Sequence, residues 1–191
     1  MTLTLDKGAN LSLTKTDPGL TQARVGLGWD VRSTNGADFD LDASAILITA
    51  DGKVRSDADF IFYNQKSDEA GSVIHQGDNR TGAGDGDDEQ ITVDLTKVPA
   101  DIAKVVIVVS IDAAAERNQN FGQVRNSYVR ILNDVTQVDI AKYELGEEVA
   151  TENAVVFAEV YRHNGDWKFK AVGQGYTDGL GGIARDFGVN L

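Results

Sequence analysis

Residues 104–111, with the sequence Lys-Val-Val-Ile-Val-Val-Ser-Ile, decide the fold class. The five β-branched residues from Val105 to Val109 favour a strand, and an apolar run without polar alternation is typical of a strand buried on both faces. The run is far too short to span a membrane. We therefore expect residues 104–111 to form a central strand in a layered sheet structure.

Further segments of strand character flank this run on both sides, separated by the Gly, Asn and Asp residues that favour turns. The predicted strands lie at residues 2–5, 10–14, 24–32, 40–49, 58–63, 91–95, 126–134, 137–144, 154–162 and 167–173. Their regular spacing predicts an all-β protein with the architecture of a two-sheet β-sandwich. At 191 residues, we expect the chain to form a single domain over residues 1–191.

Helix is sparse in this sequence. We predict a turn at residues 99–103 and a short helix at residues 113–119. A C-terminal helical tail is predicted at residues 180–187, because its apolar side chains recur at helical spacing. This tail is expected to pack on the sandwich.

Composition excludes several classes of function. The chain has no cysteine, which removes disulfides, zinc thiolate sites and cysteine nucleophiles. Its net charge of −12 would repel nucleic acid and anionic membranes, and no basic stripe offsets it. The amino terminus has neither a signal-peptide nor a transit-peptide pattern, and we expect a cytoplasmic protein without direct membrane insertion.

Residues 78–89 form the most distinctive segment of the chain. The sequence Asp-Asn-Arg-Thr-Gly-Ala-Gly-Asp-Gly-Asp-Asp-Glu puts five carboxylates, one amide and three glycines into twelve residues. Carboxylates this close repel one another unless protons or a metal ion offset the repulsion, and glycine permits the turns that aim oxygen atoms at one point. A solvated acidic turn is the simplest alternative. Calcium suits such a loop, because it takes six to eight oxygen ligands in flexible geometry.

A second acidic cluster strengthens the prediction of a metal site. In Asp38-Phe39-Asp40-Leu41-Asp42 the carboxylates alternate, so an extended backbone places all three on one face. Asp38 is also a candidate turn residue. Asp30 supplies another oxygen donor at the predicted end of a strand. Residues 30–89 carry 14 acidic and 5 basic side chains, so the negative charge is concentrated in this part of the chain.

The acidic loop does not match an EF-hand. Asp78 and Glu89 occupy positions 1 and 12 of a twelve-residue frame, but Arg80 and Gly82 stand where that loop needs oxygen ligands. The glycine expected at position 6 is Ala83, and the flanking segments are predicted strands. We also expect amide substitutions at Asp85, Asp87 or Glu89 to relieve repulsion in the metal-free protein while weakening calcium binding.

Several motifs together resemble those of the TerD family of bacterial tellurite-resistance and stress-response proteins, over essentially the whole chain. These motifs are Val25–Asp30 (Val-Gly-Leu-Gly-Trp-Asp), Phe39–Ser44 (Phe-Asp-Leu-Asp-Ala-Ser), Phe60–Asn64, the loop Gly77–Glu89, Phe121–Val124 and Tyr161–Gly175.

The resemblance implies a cytoplasmic β-sandwich that binds calcium, with two ions expected, and no enzymatic reaction. Carried over position by position, it implies the metal ligands Asp40, Asp42, Asp78, Asn79, Asp85, Asp87, Asp88 and Glu89, with Asp30 as a weaker member. Ala83 stands where family loops often carry Glu, which implies one carboxylate fewer. Other tellurite-resistance proteins, one of them an integral membrane protein, are the implied partners at the inner membrane surface.

Two hypotheses for function follow. The first is a calcium-binding scaffold or sensor in tellurite resistance and chemical stress, in which calcium orders the acidic loop and creates a surface for a partner. The alternative is a metal-dependent phosphoester hydrolase, in which the ions activate water and His75 is the only nearby base. A calcium-bridged binder of lipid or sugar would need basic or aromatic residues beside the loop, and residues 76–90 offer only Arg80.

Overall fold

The computed structural model describes all 191 residues, and its twelve strands form two sheets of six. The strands are β1 (Leu3–Thr4), β2 (Asn10–Ser12), β3 (Gln22–Gly28), β4 (Leu41–Thr49), β5 (Phe60–Ile61), β6 (Val73–His75), β7 (Glu89–Asp94), β8 (Ile102–Ile111), β9 (Tyr128–Asn133), β10 (Val138–Glu144), β11 (Ala154–His163) and β12 (Asp166–Tyr176). The helices are α1 (Leu13–Thr16), α2 (Ala114–Arg117) and α3 (Gly179–Phe187), with single 3-10 turns at Asp57–Asp59, Phe121–Gln123 and Glu147–Val149.

One sheet has the strand order β1-β10-β9-β3-β7-β6 and the other the order β2-β12-β11-β8-β4-β5. All strand pairs are antiparallel except β1 with β10. A core of 36 buried residues lies between the sheets and draws on both. The predicted all-β, two-sheet architecture is therefore confirmed.

The central strand β8 is buried on both faces, as its sequence predicts. Val105, Ile107 and Val109 point into the core between the sheets. Val106 and Val108 point outward and pack in a second cluster of ten buried residues beneath α3. The C-terminal helix α3 is thus the third layer that makes an unbroken apolar strand possible. It is nine residues long, and no helix of the protein could cross a membrane.

Some predicted boundaries are wrong for identifiable reasons. The strand predicted at 10–14 ends at Ser12, whose hydroxyl accepts a hydrogen bond from Lys15 N and caps α1. The strand predicted at 58–63 is reduced to Phe60–Ile61, because the preceding residues form a 3-10 turn around the pairing of Asp59 with Arg55. The strand predicted at 24–32 ends at Gly28, because Trp29 N donates to the Asp88 carboxylate instead of a neighbouring strand.

Two further differences concern short elements. Strand β6 has only three residues and no distinct sequence pattern, and it was not predicted. The helix predicted at 113–119 is only the four residues of α2, while the predicted tail is confirmed as α3.

Candidate metal centre

Strand register brings the acidic segments to one end of the sandwich. In one sheet Leu27 pairs with Glu89, so the loop before β7 starts beside the end of β3. In the other sheet Leu41 pairs with Ile111, so the segment before β4 lies beside the end of β8. Ala43 N of β4 donates a hydrogen bond to the Glu89 carboxylate and joins the two sheets at this end. The two acidic motifs, 36 residues or more apart in sequence, therefore face one another.

Asp40, Asp42 and Asp78 form the group that we call the open cluster. One carboxylate oxygen from each lies within 4.8 Å of the other two. Asp40 is only 6% exposed, and its Oδ1 is buried without any hydrogen-bond partner. Its other oxygen, Oδ2, has a single and long hydrogen-bond contact, from Arg80 Nε at 3.5 Å. Buried carboxylate oxygens are almost always paired, so an unpaired one indicates a missing cation or donor.

The electrostatics of the open cluster are unfavourable in the metal-free protein. The pKa of Asp42 is raised to about 8, mainly by burial and in addition by the negative charges of Glu89, Asp40, Asp78 and Asp112. Burial likewise raises the pKa of Asp40, with Arg80 acting in the opposite direction. A bound divalent cation would offset both the burial cost and the repulsion.

Glu89 and Asp87 behave differently, and we call them the anchored carboxylates. Glu89 is 1% exposed, and its two oxygens accept hydrogen bonds from Ala43 N and Asn79 N. His75 Nε2 lies 3.7 Å from the same carboxylate, and burial raises the pKa of Glu89. Glu89 thus fastens the acidic loop to both sheets.

The Asp87 side chain is fully buried and lies on the outer face of the first sheet. Arg130 Nε donates to both of its oxygens at 2.8 and 3.0 Å, and the Tyr128 hydroxyl donates to one of them at 3.0 Å. Gly26 of β3 makes this possible, because a Cβ there would overlap the Asp87 carboxylate. The structure therefore directs Asp87 away from the open cluster, although the sequence places it among the ligands.

Asp30, Asp85 and Asp88 line a second acidic site, a cavity of about 360 Å³ that we call the loop cavity. Asp85 is exposed and its carboxylate accepts no hydrogen bond. Asp88 accepts from Trp29 N and from the Asn79 amide, and Asp30 accepts from the Asn126 amide.

Asn79 organises the loop from within. Its Oδ1 accepts hydrogen bonds from Thr81 N and Gly82 N, and its amide donates to Ala83 O. Gly82 has a φ of 72° and packs against the indole of Trp29, where a side chain would overlap the ring. The nine predicted ligands thus divide into the open cluster, the loop cavity, two anchored carboxylates and an amide committed to the loop.

Sequence reasoning missed Asp112. It follows β8 directly, its backbone N–H donates to Asp40 O, and its charge acts on both Asp40 and Asp42. Its position immediately after the buried strand was visible in the sequence, but the pairing of β8 with β4 was not. Arg117, which contacts Asp112 from α2, was missed for the same reason.

Comparison with known proteins assigns the chain to a family. The TerD domain model matches residues 1–187. The chain is 54% identical to the tellurium resistance protein TerD of an Alcaligenes species over 190 residues, covering 100% of this chain and 99% of that protein. It is 52% identical to general stress protein 16U of Bacillus subtilis, with 100% of each chain covered.

A similar fold has been solved. The crystal structure of a homologue of telluride resistance protein (TerD) from Streptomyces coelicolor A3(2) superimposes with a TM-score of 0.71 at 25% identity, covering 87% of this chain and 96% of that one. The chain therefore belongs to the TerD family of tellurium-resistance and stress proteins.

Proposed function

We propose that this protein is a calcium-binding scaffold or sensor, without enzymatic activity, that serves bacterial tellurium resistance and the response to chemical stress. Calcium would order the acidic loop and create a surface that a partner recognises.

The open cluster carries the proposal. Asp40 Oδ1 is buried and unpaired, and Asp40 belongs to a group of three carboxylates with the half-buried Asp42 and the exposed Asp78. The burial of Asp40 and Asp42 and the repulsion within the group favour a cation. An acidic surface turn would leave its oxygens in water, where no cation is needed. We propose Asp40, Asp42 and Asp78 as ligands of the first ion.

The loop cavity supports a second ion. Asp30, Asp85 and Asp88 line this cavity together with Gly84 and Gly86, and its wall also includes Lys142 and Glu144. All-oxygen donors with several carboxylates match calcium better than magnesium, which retains water ligands and needs near-ideal octahedral geometry. We propose that calcium occupies both sites.

For partners, we propose other tellurium-resistance proteins of the same cell. Family membership supports this, since relatives of this chain include the tellurium resistance proteins TerX and TerZ of Serratia marcescens. With a net charge of −12 the chain itself would be repelled by anionic lipid, so contact with the inner membrane would pass through such a partner. Family membership and the net charge are also our grounds for proposing a cytoplasmic location.

The hydrolase alternative has less support. His75, the only base that the sequence offers near the acidic loop, is 2% exposed, and its Nδ1 accepts a hydrogen bond from Gly77 N. A general base must reach the proton of a bound water or substrate, and His75 instead faces Glu89 in the interior.

Thermal unfolding with calcium and with magnesium tests the proposal. An ion that binds only the folded state at a hundredfold excess over Kd stabilises it by about 2.7 kcal/mol, or roughly 5–10 °C in Tm for a domain of this size. We expect this shift with calcium and a much smaller one with magnesium after treatment with chelator. Equal shifts with both ions, or no shift with calcium, would contradict the proposal.

A further inference from the structure

Two arginines stand beside the open cluster, and most of their donors are unused. Arg80 and Arg117 line the same cavity of about 410 Å³, whose wall also includes Asp38, Asp40 and Thr81. A guanidinium carries five N–H donors in a planar fork that matches the oxygens of a phosphate or carboxylate.

Arg80 is held only loosely. Its side chain is 73% exposed, and its single contact is Nε to Asp40 Oδ2 at 3.5 Å, which is long for a hydrogen bond between charged groups. Exposed ion pairs of this kind contribute little to stability, so the contact is easily exchanged. In the metal-free protein Arg80 acts as a partial counter-ion for Asp40, and a metal ion would take over that role and release it.

Arg117 is placed at the rim of the cavity by α2. Both residues that bound this helix, Ala113 and Asn118, adopt left-handed backbone conformations with φ of 49° and 51°, and such strain is retained where the surrounding structure enforces it. The contacts of Arg117 with Asp112 are long, at 3.5 Å to the backbone oxygen and 3.6 Å to the carboxylate. Its remaining donors are available to a ligand.

We propose that Arg80, Arg117 and a cation bound at the open cluster together form a binding site for a phosphomonoester group. The inference rests on the proposed calcium binding and names the ligand chemistry of that same site. The cavity wall carries two carboxylates and two guanidinium groups, and Asp42, Asp78 and Asp112 lie close by, so a divalent ion at Asp40 would reduce the negative charge that a phosphate meets on the side of the arginines.

A phosphomonoester fits this arrangement better than a carboxylate. Its three terminal oxygens can bind the ion and both guanidinium groups at once, whereas a carboxylate has only two oxygens. The Thr81 hydroxyl, which lines the cavity, offers one further donor. Asp42 and Asp78 face the ion, so the phosphate must approach from the arginine side.

Arg80 gives the inference a test with two opposite effects. In Arg80→Gln, calcium should bind about two- to fivefold more tightly, because a positive charge beside the ion is removed. The same variant should bind the phosphomonoester several-fold more weakly.

Arg117→Gln should also weaken phosphomonoester binding, and Arg125→Gln is the matched control. Arg125 is an exposed arginine at the same end of the sandwich that does not line this cavity.

Calorimetric titration of chelator-treated protein with calcium comes first, followed by titration with glycerol 3-phosphate with and without calcium. Sedimentation with phosphatidylcholine vesicles, with and without phosphatidic acid, tests whether the group belongs to a lipid. Binding of glycerol 3-phosphate that requires calcium supports a soluble ligand. Binding of phosphatidic acid vesicles alone supports a lipid headgroup.

Other results would overturn the inference. If the calcium-loaded protein binds neither probe, or if both arginine variants behave like Arg125→Gln, the site is absent while the proposed calcium binding stands. Unchanged calcium affinity in Arg80→Gln would show that Arg80 is not a counter-ion of the cluster. If the wild-type protein binds no calcium, the proposed function fails and this inference fails with it.

Discussion

The open cluster and the anchored carboxylates are both made of acidic residues from neighbouring segments, yet they differ in how many hydrogen bonds their carboxylate oxygens accept. Asp42 and Asp78 accept no hydrogen bond, and Asp40 has one buried oxygen without a partner. Glu89 and Asp87 have both oxygens occupied by backbone N–H groups or by Arg130. A carboxylate whose oxygens are already satisfied has little to gain from a cation, and one that is crowded and unpaired has much to gain.

This comparison changes what amide substitutions should do. From sequence alone, neutralising Asp85, Asp87 or Glu89 is expected to leave the metal-free protein as stable or more stable. The structure limits that expectation to the open cluster and to Asp85 of the loop cavity, because both oxygens of Asp88 accept hydrogen bonds and Asp30 accepts one from Asn126. At the anchored carboxylates the loss of hydrogen bonds should dominate.

Glu89→Gln should have the largest effect. A glutamine can accept from only one of Ala43 N and Asn79 N with its oxygen, and its amide would face the other donor. We expect the metal-free protein to lose about 2–4 kcal/mol of unfolding free energy, because a buried N–H is left unpaired. Urea denaturation in the presence of chelator measures this loss, and stability equal to that of the wild type would contradict the anchoring role.

Arg130→Gln and Asp87→Asn should each cost about 1–3 kcal/mol in the metal-free protein, because each removes the two-oxygen contact of a charged, partly buried pair and leaves Arg130 only Asp139, or Asp87 only the Tyr128 hydroxyl. A double-mutant cycle with urea denaturation should show strong coupling between the two positions. Gly26→Ala should reproduce the effect, since its Cβ displaces the Asp87 carboxylate. Additive single effects would show that the pair does not hold the loop.

Asp42→Asn should stabilise the metal-free protein, with a dependence on pH. The folded protein keeps the Asp42 proton up to a pKa of about 8, whereas the unfolded chain releases it near pH 4, so the wild type loses stability as pH rises between these values. The advantage of the variant should therefore grow from about pH 4 to about pH 8 and then stay constant. After a discount for solvent screening, we expect about 1–2 kcal/mol at pH 8.

The same proton competes with calcium. Wild-type affinity for calcium should rise with pH up to about 8, and Asp42→Asn should bind calcium more weakly with a flatter pH profile. Calorimetry at several pH values measures both slopes. Parallel profiles for the two proteins would exclude Asp42 as a ligand.

Asp85→Asn should have the smallest effect on stability. The side chain is exposed and unbonded, so the change in the metal-free protein should stay within about 0.5 kcal/mol at any pH. Calcium binding should still weaken, because one ligand of the loop cavity is lost. A variant that binds calcium like the wild type would remove Asp85 from the second site.

Much of the architecture could be predicted because its determinants are local. The β-branched run of β8 indicates a strand buried on both faces, and the apolar stripe of α3 identifies the helix that covers it. Short elements such as β6 could not be predicted, since three residues carry too little pattern and their strand state depends on pairing with β7. The strand predicted from residue 58 starts too early, because the 3-10 turn at Asp57–Asp59 depends on the side-chain pair of Arg55 and Asp59.

For the candidate site, sequence alone identified the kind of residue and the two acidic segments, and it predicted a preference for a hard cation. These follow from charge and glycine content, which do not depend on the fold. Only the tertiary structure decided which carboxylates remain free, because that depends on partners such as Ala43, Arg130 and Asp112 that strand pairing brings close from distant parts of the chain. Hydrogen bonds act over about 3 Å, and sequence separation does not encode such distances.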